Sequence, residues 1–190
     1  MLRDLISKNR SCRRFRQETP VERQTLRELV DLARLSASAA NMQPLKYALS
    51  CEPERNAHVF RHVGWAGYIE DWPGPAEGER PSAYIIVLCD TEISEFSDCD
   101  HGIAAQSILL GAAEKGLAGC MIGTVRRKEL SAALEIPPRY KILLVLALGK
   151  PAEKVVLETA GPDGGIEYWR DTDGVHHVPK RPLDELILDI

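Results

Sequence analysis

One stretch constrains the fold more than any other: Asp100 to Thr124, DHGIAAQSILLGAAEKGLAGCMIGT. Ile103, Ala104, Ile108, Leu110, Gly111 and Ala112, with the small Ser107 among them, leave almost no polar stripe. A helix that is apolar nearly all round is buried on most sides. In a chain of 190 residues it must be the centre of the domain or the seam of a dimer. Gly116 and Gly119 stop the helix, and Cys120-Met121-Ile122-Gly123 leads back into the core as a short strand.

Two further runs, Ala83 to Cys89 (AYIIVLC) and Lys141 to Leu148 (KILLVLAL), are continuous and apolar. Strands of that kind are buried on both faces. Three such strands separated by helices indicate a layered α/β or α+β fold. The remaining elements fall between them. Helices are expected over residues 2–9, over the run Leu26, Leu29, Val30, Leu32, Ala33 and Leu35, over Glu54 to Val63, and over Arg127 to Leu134. Thr19-Pro20-Val21-Glu22 reads as a capping box, with Thr19 as N-cap and Pro20 at the first helical position. Lys46 to Cys51 reads as a strand, and Gly64 to Ser82 as an irregular stretch rich in Gly, Pro and aromatics. After Gly149-Lys150-Pro151 come strand-like segments at Val155 to Leu157 and Ile166 to Arg170, a tight turn at Asp173-Gly174 and an apolar end, Leu183 to Ile190. No repeat or linker divides residues 1–190, so one domain is expected, with the tail embracing a second subunit.

Composition narrows the partners. The chain is 44% hydrophobic and 27% charged, with a net charge of -4. That balance gives no reason to expect nucleic acid or an anionic membrane. No run reaches the roughly 18 apolar residues of a membrane span. MLRDLISKNR has no signal-peptide core, so the cytoplasm is the expected location. The five cysteines are odd in number and widely spaced, without CxxC, which points to buried thiols rather than a zinc site or a disulfide framework. No metal is expected. His58 and His62 lie four apart in HVFRH but lack the Glu of HExxH. The glycines near 111–119 do not form GxGxxG after a strand.

Three short runs carry candidate chemistry. Arg10-Ser11-Cys12-Arg13 offers two guanidinium groups, a hydroxyl and turn N–H groups, which can surround a phosphate; it suits a solvated basic face equally well. Ser38-Ala39-Ala40-Asn41-Met42-Gln43-Pro44 combines small residues with two amides able to read the edge of a heteroaromatic ring, or it simply ends a helix. Val178-Pro179-Lys180-Arg181-Pro182 holds two cations in a restricted backbone, for a fixed anion or for solvent.

Taken in order, NRSCRRF, SASAANMQP, the Asp100 helix with EKGLAGCMIG, LVLALGKP and PKRPLDEL resemble the nitroreductase family of FMN-dependent oxidoreductases. The resemblance implies an α+β fold, a central mixed β-sheet flanked by helices, with a C-terminal extension around the partner of an intertwined homodimer. It implies FMN at the subunit interface. Arg10, Ser11 and Arg13 would reach the phosphate and ring face, within a turn that also holds Cys12. Ser38, Asn41 and Gln43 would stand beside the flavin from the other subunit, with Pro44 fixing that loop. Ile122 and Gly123 would place backbone donors near the ring, and Lys180 and Arg181 would complete the phosphate site. Two departures stand out: Asn9 where the family carries a basic residue, and Leu45 where an aromatic is common.

The flavin carries the hydride chemistry, so no acid–base dyad or nucleophile is needed. The resemblance implies a two-step cycle in which NADH or NADPH reduces the flavin, and a small electron-poor acceptor, nitroaromatic- or quinone-like, then takes its place. Arg13 is the candidate that stabilises the reduced, anionic ring. Trp65, Tyr68 and Trp72 could wall the acceptor pocket or simply cover the core. Three alternatives remain open: a specialised flavin reaction fed by another donor, a flavin-binding module without turnover, and a cofactor-free structural dimer.

Overall fold

The computed structural model describes residues 2–69, 71–161 and 163–189. Among these residues, five α-helices run in chain order: α1 (Leu2–Lys8), α2 (Arg23–Arg34), α3 (Pro53–Arg61), α4 (Asp100–Glu114) and α5 (Arg127–Ala133). Seven strands lie among and after them: β1 (Leu45–Ser50), β2 (Ala83–Asp90), β3 (Ala118–Ile122), β4 (Tyr140–Gly149), β5 (Val155–Thr159), β6 (Trp169–Arg170) and β7 (His176–Lys180).

The central sheet has the order β1-β2-β4-β3, and all its pairings are antiparallel. All eight residues of β2 are buried, because both faces of the sheet are covered. Alternation along the strand separates two cores. Ala83, Ile85 and Val87 join Leu26, Leu29, Ala104, Ile108 and Leu109 under α2 and α4. Tyr84, Ile86 and Leu88 join Phe15, Val59, Leu130 and Ile142 on the side of α3 and α5. A bulge between Val87 and Leu88 shifts the register, so Val87 faces Leu144 while Leu88 faces Ile142.

The α+β class therefore holds, and the parallel pairing lies outside the central sheet. A second sheet, β5-β7-β6, pairs β5 with β7 in parallel and β6 with β7 antiparallel. Pro179 is tolerated inside β7 because β6 reaches only His176 and His177, leaving Pro179 with a neighbour on one side.

Helix α4 buries Ala104, Ala105, Ile108, Leu109, Gly111 and Ala112, while Ile103 stays 38% exposed. A Cβ on Gly111 would stand 2.3 Å from the tip of the Leu32 side chain, so a larger residue there would have to displace Leu32 where α2 packs on α4. The expected stop is present: Gly116 has φ +70, its N–H donates to Ala113 O, and Leu117 N–H donates to Ala112 O. The expected capping box is not. Helix α2 begins at Arg23, and the extended Glu22 caps it without a side-chain bond. Thr19 N–H is instead taken by Arg16 O in a turn, and burial of Val21 draws the chain out before the helix starts.

Candidate functional site

Strand β3 organises the site. After α1, residues 11 and 12 pass beside it: Cys12 N–H donates to Gly119 O at 3.0 Å, and Ser11 bridges Gly119 in parallel. A Cβ on Gly119 would come within 2.5 Å of Leu109 and 2.7 Å of Ala147 O, so glycine is required where this segment, α4 and β4 converge. Extended backbone sends successive side chains to opposite sides. Ser11 and Arg13 face a cleft, and Cys12 enters the core. Burial and the nearby Glu153 push the Cys12 thiol up to about 12, so it is a neutral core residue.

The cleft has two lobes. The first, about 310 Å³, is lined by Arg10, Ser11, Arg13 and Lys180, by Asn9 and Gln106, and by Gly119, Met121, Tyr168, His176 and Val178 beside Leu109. Arg10 folds over the end of α1, donating from Nε to Asn9 O and from Nη2 to Ile6 O. Asn9, at the family's usual basic position, is buried and bonds Gln106 of α4. Arg10, Arg13 and Lys180 line this lobe, and among the described residues no carboxylate stands in its wall. Arg181 points elsewhere and pairs with Glu185 at 3.5 Å.

Beneath Arg13 lies a buried charge cluster. Glu153 accepts from the backbone N–H groups of Arg13 and Arg14 and from Arg170 Nη2 at 2.9 Å. Its carboxylate is thus matched to Arg170. Arg13 is 9% exposed, and its guanidinium meets neutral groups: His176 Nε2 at 3.2 Å and the face of Tyr168 at 4.6 Å. Among the described residues it makes no ion pair with a carboxylate. Burial, and then Arg13, lower the His176 pKa to about 4, so the imidazole is neutral near pH 7.

The second lobe, about 280 Å³, is lined by Gly64, Trp65, Ala66 and Gly67, by Cys120 to Thr124, and by Arg13 and Tyr168. Gly64 N–H is fastened to Thr124 O at 2.8 Å. Gly123 is exposed and faces open space: nothing lies within 4 Å of where a Cβ would stand. Arg13, Met121 and Tyr168 border both lobes. Of the expected aromatics, Trp65 lines this lobe. Tyr68 packs on Tyr168 at 5.0 Å. Trp72 covers Arg170 and Arg14 instead, with ring centroids 4.3 and 6.0 Å away.

The amide loop stands apart from this cleft. Ser38 and Gln43 line a different cavity of about 250 Å³, with Asp100 and Tyr47. Buried Asp100 anchors the loop, accepting from Ser38 Oγ at 2.6 Å and Ala39 N–H at 2.9 Å. Gln43 N–H then donates to Ser38 Oγ. Ala40, Asn41 and Gln43 all have positive φ, near 50°, before Pro44 leads into β1. Several left-handed non-glycine residues in one short loop are costly and persist only when surroundings impose them. Asn41 and Gln43 are exposed, and Gln43 Nε2 donates to Asn41 O at 3.2 Å.

His176, Tyr168, Glu153 and Arg170 escaped the reading of the sequence. The first lies beside the basic run at 178–182, yet a lone histidine carries no motif. The others acquire meaning only when β5, β6 and β7 fold onto residues 10–15.

The sequence model of the nitroreductase family matches residues 6–71 and 79–150. Among solved structures, a nitroreductase family protein from Streptococcus pneumoniae TIGR4 has a TM-score of 0.72 at 16% identity and covers 100% of both chains. An FMN-dependent nitroreductase from Clostridium difficile R20291 has a TM-score of 0.65 at 21% identity, covering 79% of this chain and 87% of its own. The NADPH:FMN oxidoreductase of Vibrio harveyi, solved with NAD+, has a TM-score of 0.62 at 21% identity, covering 78% of this chain and 68% of its own. These likenesses show a shared fold. With the sequence match across most of its length, the chain belongs to the nitroreductase family.

Proposed function

We propose that the two-lobed cleft binds FMN, and that the protein is an FMN-dependent oxidoreductase drawing electrons from NADH or NADPH. One observation carries this reading: Arg10, Arg13 and Lys180 converge on a lobe in whose wall no carboxylate stands among the described residues. Arg13 is buried, Arg10 is half-buried and Lys180 is exposed at the rim; a buried or half-buried cation without counter-charge is costly unless a ligand supplies it. A phosphate monoester does so and matches the fork of arginine. The lobe next door has a glycine floor at Gly123, open enough for a flat ring to lie against the backbone.

Bound FMN would supply the hydride chemistry. Arg10, Ser11 and Lys180 would hold its phosphate. Arg13, between the lobes, would put a fixed positive charge beside the ring, favouring the reduced, anionic form. Ile122 and Gly123 would contribute backbone near the ring edge. Trp65 and Tyr168 would wall the space left for a nicotinamide and, after it, for a small electron-poor acceptor.

The working unit in this reading is a homodimer of single-domain subunits. The loop bearing Ser38, Asn41, Gln43 and Pro44 opens on another cavity of the same chain, so it would serve the flavin site of the partner. Leu183, Leu186, Ile187 and Leu188 are 59–73% exposed and would cover the neighbouring subunit. The test is an anaerobic absorption spectrum of FMN-loaded protein, followed by NADH or NADPH. Bleaching of the flavin bands supports the reading. Bands that persist with both donors would remove the nicotinamide step.

A further inference from the structure

We infer that His176 is a positioning residue for Arg13: as a neutral acceptor it aims the guanidinium between the two lobes without cancelling its charge. The inference rests, in its functional consequence, on the FMN reading above.

Two buried guanidinium groups lie side by side here, and they are handled in opposite ways. Arg170 is 9% exposed in its side chain and meets Glu153, whose side chain is 1% exposed, at 2.9 Å. That pair is internally compensated. Arg13 is denied the same partner, because Glu153 is occupied by Arg170 and by two backbone N–H groups. The chain gives Arg13 an imidazole nitrogen at 3.2 Å and an aromatic face at 4.6 Å instead. Both fix its direction and neither carries charge. A hydrogen bond and a cation–π contact orient a cation while leaving its field available to a ligand.

The chemistry fixes the tautomer. A guanidinium is only a donor, so Nε2 of His176 must be the acceptor and the proton must sit on Nδ1. His176 Nδ1 is buried and finds no partner among the described residues. An unsatisfied buried donor is a local cost that a packing role alone would not require. An apolar residue in the same place would avoid it. Retaining the imidazole here is explained by what Nε2 does for Arg13. The strand supports this placement: β7 carries His176 and Lys180 on one extended segment, four residues apart, into the same lobe.

The test uses the full-length protein and two variants. In His176→Gln the side-chain carbonyl can reproduce the acceptor at the Nε2 position; in His176→Leu nothing can. FMN dissociation constants should stay within about threefold of wild type for His176→Gln and weaken about tenfold or more for His176→Leu, the change expected for one hydrogen bond to a charged group. The midpoint potential of the bound flavin should fall in His176→Leu and be restored in His176→Gln. A purely structural role would not produce that split. Equal constants and potentials in the two variants would overturn the inference. Nitrogen NMR of the wild-type imidazole tests the contact itself, without cofactor: a protonated Nδ1 and an unprotonated, hydrogen-bonded Nε2 near pH 7 are expected. A protonated Nε2 would overturn the inference even if FMN binds. Failure of the wild type to bind FMN, with the NMR result as expected, would instead sink the flavin reading and leave the His176–Arg13 contact standing.

Discussion

Arg13 and His176 are 163 residues apart in the chain and meet at 3.2 Å. Through that contact the C-terminal sheet closes over the N-terminal basic turn, and two weak local signals become one site. Arg13 comes from the extended segment beside β3, and Lys180 from the end of β7. Neither end of the chain can form the lobe alone.

Arg10 should matter for ligand and not for fold. Its hydrogen bonds go to Asn9 O and to Ile6 O in the last turn of the short helix α1, so Arg10→Ala loses little structure. The proposed charge-assisted contact to a phosphate would be worth about 1.5–3 kcal/mol, or roughly 10- to 150-fold in affinity. A fluorescence titration with FMN measures this. Unchanged affinity would place the phosphate elsewhere.

The glycines of β3 and its end should behave oppositely. Gly119→Ala drives a methyl against Ala147 O and Leu109, and overpacking of that kind costs about 1–3 kcal/mol. Gly123→Leu meets open space, so its thermal midpoint should stay near wild type while the second lobe is filled. Loss of FMN from Gly123→Leu, with Tm preserved, is the expected pair of results. Normal FMN occupancy in that variant would exclude Gly123 from the site.

Adjacent histidines of β7 should give stability two pH limits. Burial lowers His176 from its usual 6.5 to about 4. Its folded value is depressed, so its contribution is present above about 6.5 and lost as pH falls toward 4. His177 lies between Asp171 and Glu158, which raise its pKa from the same usual value, Asp171 most. Its contribution is complete below the unfolded value near 6.5 and is lost as pH rises through the folded one. Thermal melts across pH should show both effects. His176→Gln should remove the acid-side loss and His177→Gln the alkaline one; profiles unchanged in both variants would contradict the assignment.

Asp100 should control the amide loop from a distance. It is buried and accepts from Ser38 and Ala39, holding a segment whose Ala40, Asn41 and Gln43 sit at positive φ. Asp100→Ala should increase hydrogen exchange over residues 38–43 and lower Tm. Protection equal to wild type would show that the loop holds its own shape.

The sheet was legible because AYIIVLC and KILLVLAL leave no polar face to turn outward, and the structure covers β2 completely. The helix stop at Gly116 was legible because only glycine adopts φ +70 without strain. The start of α2 was not: Thr19-Pro20-Val21-Glu22 satisfies a local capping pattern, but burial of Val21 outweighs it. The basic turn was visible as charge, and its partners were not. Glu153, Tyr168 and His176 lie in the tail, and their contacts with Arg13 and Arg14 depend on the parallel pairing of β5 with β7, which short-range spacing does not encode. Composition groups Trp72 with Trp65, and the structure separates them by giving Trp72 the Arg170 face to cover.

The most direct measurement compares FMN with riboflavin in titrations of the apoprotein at fixed ionic strength. The two ligands share the ring and differ in the phosphate. If Arg10, Ser11 and Lys180 hold the phosphate, FMN should bind at least about tenfold tighter, and the preference should shrink as salt is added. Equal affinities, or no binding of either ligand, would contradict the placement of the cofactor in this cleft.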